Sequence, residues 1–271
     1  MMRTKLVWIP ACAALLACGD DADPPEDPVE VSFVVSAGDT DWACGTTLSL
    51  GTGPSEFILS DLRFYVHDVG LIAATGEVVM VAATNDEMWT RDAVTLLDFE
   101  DGSGPCRSGN SGTNRSVIGT VPPGEYVGLS FVLGVPFDEN HQDAGVAQAP
   151  FSYSSMFWSW QAGYKFLRLD GETAAGNGNR IHLGSTGCEG AVSNITGCAN
   201  ENRATVTLDS FDASTETVVF DLAALFADYD METNTEDTPV GCMSTPGDPD
   251  CDTLFGALGL GEATQTAFGV R

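Results

Sequence analysis

Basic side chains are scarce: 11 lysines and arginines stand against 39 aspartates and glutamates in 271 residues, a formal charge of -28. So acidic a surface repels phosphate backbones, which excludes nucleic acid as a natural partner and leaves solubility, a cation or a basic partner as its uses. Histidine is scarcer still, with three residues, His67, His141 and His182. No P-loop, Rossmann fingerprint, G-x-S-x-G elbow or C-x-x-C pair occurs, so nucleotide, serine-hydrolase and dithiol chemistry have no starting point and no enzyme is read. Beyond the N-terminus no apolar run is long enough to span a bilayer as a helix.

What the N-terminus does hold is an export signal. Arg3 and Lys5 open it, Leu6–Leu16 form its apolar core, and Leu15, Leu16, Ala17 and Cys18 end it in a lipobox-like sequence. Such a signal resembles those of bacterial lipoproteins, in which the cysteine, here Cys18, is lipidated and tethers the chain to a membrane; an ordinary cleaved signal is the alternative. Either way the chain is expected in the periplasm, or at the outer membrane or cell surface. Residues 1–17 are the signal, 18–28 an acidic, proline-rich tether with no core-forming residue, and 29–271 one domain.

Six cysteines then remain: Cys44, Cys106, Cys188, Cys198, Cys242 and Cys251. An even number in an exported chain argues for three disulfides. Short separations favour Cys188 with Cys198 and Cys242 with Cys251, leaving Cys44 with Cys106, out of fifteen possible connectivities. A thiolate copper site competes with this reading, but an oxidising compartment opposes it.

The body reads as strands. Runs such as Val29–Val35, Phe57–Ile72, Val78–Ala82, Val94–Phe99, Ser116–Val121, Tyr126–Leu133, Phe157–Leu169, Arg180–Leu183, Ala204–Leu208 and Thr217–Phe220 are β-branched or aromatic and punctuated by Gly, Pro, Asn and Asp. Asp221–Tyr229 reads as the one clear, short helix. The pattern predicts an all-β fold, an antiparallel β-sandwich or flattened barrel with long loops and disulfides.

One stretch stands out: Met156–Phe166 puts Trp158 and Trp160 one residue apart. As a strand it would set Met156, Trp158 and Trp160 on one face, two indoles side by side. Core packing explains such a run by itself, but its company is distinctive. The segments FYVHDV (64–69), LLDFED (96–101), GVPFDENH (134–141), MFWSWQAGYKFLRL (156–169) and HLGSTGC (182–188) together resemble the MbnP family of periplasmic copper-binding proteins, relatives of the MopE and CorA copper proteins. These carry a four-cysteine motif and are encoded beside a di-haem partner of the MauG and cytochrome c peroxidase type (MbnH type). The resemblance implies that the first tryptophan of the W-x-W motif, Trp158, is oxidised to kynurenine by that partner, and that copper binding depends on the change. The MopE branch has a histidine two residues after its modified tryptophan; here that position is Trp160.

Chemistry gives the implied change a meaning. An indole N–H is a donor only, whereas the ring-opened kynurenine carries an aromatic amine with a free lone pair, and a ketone. With it, the candidate copper ligands are His67, His141 and His182, since imidazole suits copper and a neutral donor set suits Cu(I). On the strand around it, His67 falls with Arg63, Tyr65 and Val69 on the face opposite Leu62, Phe64 and Val66. Such a position is either solvent or a site. His141 falls in a polar loop and His182 in mid-strand, where a lone histidine is more often structural. Trp160, Met156 and Tyr65 are expected around the ion, Met156 and Trp160 limiting water.

Two other readings carry less. Asp248, Asp250 and Asp252 alternate as if for a structural calcium, though Pro249 and Cys251 suit a tight disulfide loop better. A surface lipoprotein could instead grip a glycan or peptide on an aromatic face of Trp42, Trp89 and Trp160, without metal. The Cys, His and Met cluster of an electron-transfer copper protein is missing.

Overall fold

The computed structural model describes residues 25–107, 109–192 and 194–271. The signal peptide, Cys18 with its expected lipid, and most of the tether lie outside the described residues. The folded body starts two residues before Val29, because the first strand, Asp27–Ala37, already pairs at Asp27 with Val121. Its alternation is plain: Val31, Phe33 and Val35 are buried, with Ser32 and Val34 half-buried between them.

Two open sheets face each other. One runs in the order Phe268–Val270, Val218–Asp221, Asp27–Ala37, Ser116–Val121, Ala82–Ala83. The other is built on the 19-residue strand Ser55–Ala73, with Leu167–Thr173 and then Gly178–Leu183 on one side, and Tyr126–Leu133 and then Ala204–Leu208 on the other. Among the described strands every pairing is antiparallel except Asp27–Ala37 with Val218–Asp221, which is parallel. Open edges make the fold a sandwich rather than a barrel. Its centre is aromatic: Phe33 lies 5.6 Å from Phe131 and 6.3 Å from Phe64, while Phe220 and Phe268 stack at 4.8 Å and reach Phe64 at 5.3 and 6.0 Å. Edge and stacked pairs of this kind add about 0.5–1.5 kcal/mol each beyond the area they bury.

The long strand explains where a site can be. Two bulges interrupt it. Asp170 pairs with Asp61 and Gly171 with Leu59, so Ser60 is the extra residue, and Phe57 and Leu59 share a face with Leu62 and Phe64. A second lies just past His67: the pairs His67–Val132 and Gly70–Ser130 leave Asp68 and Val69 opposite Phe131 alone, with Asp68 at φ +48°. The face shared by Arg63, Tyr65 and His67 therefore ends at His67 and does not continue to Val69 as simple alternation predicts. From Asp61 to His67 every residue is buried. Both faces of this strand are covered, one by the opposing sheet and the other by a layer of loops.

The loops hold that layer down by hydrogen bonds. Tyr65 Oη donates to the Pro150 carbonyl (2.9 Å), and its ring stacks on Phe151 at 5.9 Å. Arg91 donates to the Ala149 carbonyl at 2.9 Å. Tyr65 is thus a core residue of the covered face. The expected strand Phe157–Leu169 is three pieces: Phe157–Ser159, a turn, Gly163–Tyr164, and Leu167–Thr173 in the sheet. Gly163 (φ +81°) forces the break, for a Cβ there would meet the Asn140 carbonyl at 2.3 Å.

All three disulfides match the pairing expected from separation: Cys44–Cys106, Cys188–Cys198 and Cys242–Cys251. The helix expected at Asp221–Tyr229 is a single turn, Leu222–Leu225, with Asp221 as its cap. A longer one, Pro249–Leu258, was not anticipated.

Candidate metal centre

The W-x-W stretch folds as a small hairpin clipped to the sheet beneath it. Asn140, wholly buried, accepts from Tyr164 N–H at 2.8 Å and donates to the Ala162 carbonyl at 3.1 Å, clamping the turn. Gln161 donates to the Cys188 carbonyl at 2.8 Å. Lys165 Nζ donates to the carbonyls of Ser155 (2.8 Å) and Phe157 (3.3 Å), and Arg168 also reaches Ser155 (3.3 Å). Burial, with Arg168 beside it, brings the Lys165 ammonium down to about 8.

In this hairpin the two tryptophans part company. Met156 is fully buried and Trp158 half-buried, but Trp160 sits in the turn and is 47 % exposed. The strand ends at Ser159, so the alternation that would align the indoles does not reach residue 160. Trp160 accordingly does not shield the site as expected, whereas Met156 is part of the buried core. The aromatic platform also fails: Trp42 is in the core at 4 % exposure and Trp89 stacks on Tyr153 at 5.7 Å.

Trp158 meets His182. Their rings are perpendicular with centroids 6.3 Å apart. Gly184 makes room, since a Cβ there would stand 3.0 Å from the Trp158 ring and 2.9 Å from the Tyr164 carbonyl. His182 Nε2 lies 2.7 Å from Asp170 Oδ1, and its Nδ1 is buried without a hydrogen-bond partner. An ionised acceptor at Nε2 fixes the proton there, leaving the Nδ1 lone pair free. Burial alone would raise Asp170, but its bonds to His182 and Arg168 overrule it and hold the carboxyl at about 2. A hollow of about 210 Å³ adjoins, lined by Trp158, Gln161, Ala162, Thr186 and Cys188 among others.

The other histidines lie elsewhere. His67 Nδ1 is 3.0 Å from Asp68 Oδ2; burial pulls its pKa down against the pull of Asp68. His141 Nε2 lies 3.4 Å from Cys198 Sγ and 3.3 Å from Asn140 Nδ2, and burial followed by the charge of Arg203 lowers its pKa. Among the described residues, one group of three His, Cys, Asp or Glu side chains has ligand atoms within 4.8 Å of one another, His141 with the disulfide-bonded Cys188 and Cys198. No such group among the described residues contains two of the three imidazoles.

The calcium trio is not assembled either. Asp248 caps the helix Pro249–Leu258 and accepts from Asp250 N–H, while the Asp250 carboxylate is taken by Thr235 and Thr238.

Two features escaped the sequence reading. One is Met243: Cys242 pairs with Ile181 in a parallel bridge and receives the His182 N–H on its carbonyl at 2.8 Å, so Met243 stands in register beside His182. The bridge needs tertiary structure to be seen. The other is an ionic layer below the hairpin. His182, Arg168, Arg63 and Asp98 are successive cross-strand partners, a row of charged and titratable side chains across four strands. Arg63 pairs with Asp61 and lies 3.6 Å from Glu100 and 3.9 Å from Asp98; Arg168 is 3.2 Å from Asp61.

The MbnP family profile matches residues 26–244. Among solved structures, MbnP from Methylosinus trichosporium superposes with a TM-score of 0.80 at 32% identity, over 91% of this chain and 98% of that one. No curated protein matches.

Proposed function

This chain belongs to the MbnP family, and from that premise we propose that it is an exported copper-binding protein whose site is completed when a di-haem partner of the MauG type oxidises Trp158 to kynurenine. One observation carries the reading. His182, the imidazole against Trp158, has its Nε2 committed to Asp170 and keeps a buried Nδ1 lone pair with no partner. A buried acceptor left unpaired costs about 1–3 kcal/mol, which a water or an ion would offset; both ring nitrogens of His67 and Nδ1 of His141 are without a hydrogen-bond partner as well.

The donor set fits copper(I). His182 and the amine of a kynurenine at 158 are neutral nitrogens, and Met243 adds a soft thioether in register with His182. Bound there, copper(I) supplies a monovalent, soft centre for storage or transfer. The protein's own residues do the rest: Asp170 orients His182, Lys165 and Arg168 seat the hairpin, and Met156 and Tyr164 keep water from its underside. His67 and His141 remain the other candidate ligands, and His141 lies beside Cys188, which lines the hollow next to Trp158. A lipid on Cys18 would tether the chain to a membrane in the periplasm or at the cell surface.

The test is co-production with and without the di-haem partner, followed by intact mass and metal analysis. Conversion at residue 158 together with bound copper supports the reading; copper bound with every tryptophan intact overturns it.

A further inference from the structure

We propose a second, redox-gated soft-metal site at His141, Cys188 and Cys198, closed while the disulfide stands and opened when a dithiol reduces it. It does not rest on the Trp158 reading and needs no kynurenine.

The argument starts at Asn140. Its Oδ1 accepts the Tyr164 N–H at 2.8 Å, which fixes the amide so that Nδ2, a donor, faces His141 Nε2 at 3.3 Å. That nitrogen therefore carries the lone pair, and its other neighbour is Cys198 Sγ at 3.4 Å. A disulfide sulfur has no hydrogen to give it. A thiol could donate one, and a metal on the sulfur could accept the lone pair that Asn140 Nδ2 now faces.

The second sulfur is in reach as well: Nε2, Sγ of Cys188 and Sγ of Cys198 lie within 4.8 Å of one another. Two sulfurs and one imidazole are a soft donor set suited to copper(I). Cys188 and Cys198 are directly opposite in the hairpin formed by Thr186–Ala191 and Asn194–Asn200, so the backbone holds both in place after the S–S bond is cut. Access comes from two sides. Cys198 lines a hollow of about 320 Å³ with Glu189 and Thr196, and Cys188 lines the one of about 210 Å³ that it shares with Trp158. The other two disulfides offer less, because Cys242 and Cys251 are both at most 2 % exposed and, among the described residues, neither pair forms a ligand group with a histidine.

The chemistry balances. A dithiol attacks the Cys188–Cys198 bond, passes two electrons and two protons to the pair, and leaves as its own disulfide. Copper(I) then displaces the two thiol protons to solvent and would be held by two thiolates and by His141 Nε2, whose lone pair exchanges the Asn140 Nδ2 hydrogen bond for the metal.

The experiment uses the exported chain made without any di-haem partner, so that residue 158 stays tryptophan. Copper(I) is titrated anaerobically against a chromophoric chelator, before and after dithiol treatment, and sulfur ligation is read by X-ray absorption. Reduced protein should hold one more copper(I) than oxidised protein, with sulfur in its shell. The extra equivalent should vanish in Cys188→Ser/Cys198→Ser, and His141→Ala should weaken it at least tenfold. No extra equivalent on reduction, or one that persists in the double variant, overturns the proposal. Native circular dichroism of each variant separates loss of the site from loss of the fold. A failure here leaves the kynurenine reading standing, since that is tested by mass and copper in protein made with the partner.

Discussion

The Nε2 of His182 and Oδ1 of Asp170 lie 2.7 Å apart across neighbouring strands, beneath the indole of Trp158. The contact turns a mid-strand histidine into an oriented one. Asp170→Asn would remove the charge that fixes the tautomer, and loss of such an outer partner costs about 10- to 100-fold in metal affinity. A copper(I) competition titration on partner-modified protein measures this. An unchanged affinity would mean that Asp170 serves only Arg168.

Trp158→Phe should fold and bind no copper at this centre, with a stability cost of about 0.5–3 kcal/mol, since the residue is half-buried. Trp160→Phe should keep fold and copper, because the side chain is in a turn and largely exposed. Metal content and urea unfolding of the two proteins separate them. Equal copper in both would remove Trp158 from the site.

Gly184→Ala would put a methyl 3.0 Å from the Trp158 ring and 2.9 Å from the Tyr164 carbonyl. The carbonyl cannot yield, so the indole must move off His182. We expect the fraction of converted tryptophan and the bound copper to fall together, read by intact mass and metal analysis of the same sample.

Much of this was legible in the sequence, for a physical reason in each case. Val31, Phe33 and Val35 alternate because one face of their strand is buried, and six cysteines in an exported chain pair by proximity. The helix Pro249–Leu258 could also have been read: Asp248 caps it, Pro249 opens it and Gly259 (φ +81°) closes it. A proline there starts a helix and does not break one. What period-two reasoning could not reach is a face covered from outside its own sheet. Arg63 looks solvent-facing on such a pattern, yet it is 2 % exposed. The bulge after His67 and the bridge that brings Met243 to His182 likewise depend on partners distant in sequence.

The ionic layer gives a pH dependence with a definite sign. Burial, opposed by Arg63 and reinforced by Glu100, lifts Asp98 from 3.8 to about 8. Between those values the folded protein holds a proton that the unfolded chain has released. Stability from this group is therefore full below the lower value, falls as pH rises, and is lost past the upper one. Asp170, held at about 2, acts the other way, and its contribution is lost only in strong acid. Asp98→Asn should flatten the decline between these limits in urea midpoints measured across pH; a decline of unchanged slope would place the proton elsewhere.

Arg63→Met should cost about 3–5 kcal/mol at neutral pH, because it takes the cation away from the buried carboxyl groups of Asp61 and Glu100. The loss should shrink in acid, where Glu100, raised above its ordinary value by burial, takes up a proton. Chemical denaturation at two pH values tests both statements.

A loop seated on fixed charges differs from one seated on grease. An oily contact lets a segment slide or rotate by small steps at little expense, whereas paired ions hold one position and penalise the next. Because Arg168 and Lys165 grip the carbonyls of Ser155 and Phe157 from below, the segment leading into Trp158 is keyed to the sheet like a tooth in a lock. These acceptors are backbone carbonyls, so substitution at 155 or 157 leaves them in place, whereas loss of either cation frees the segment.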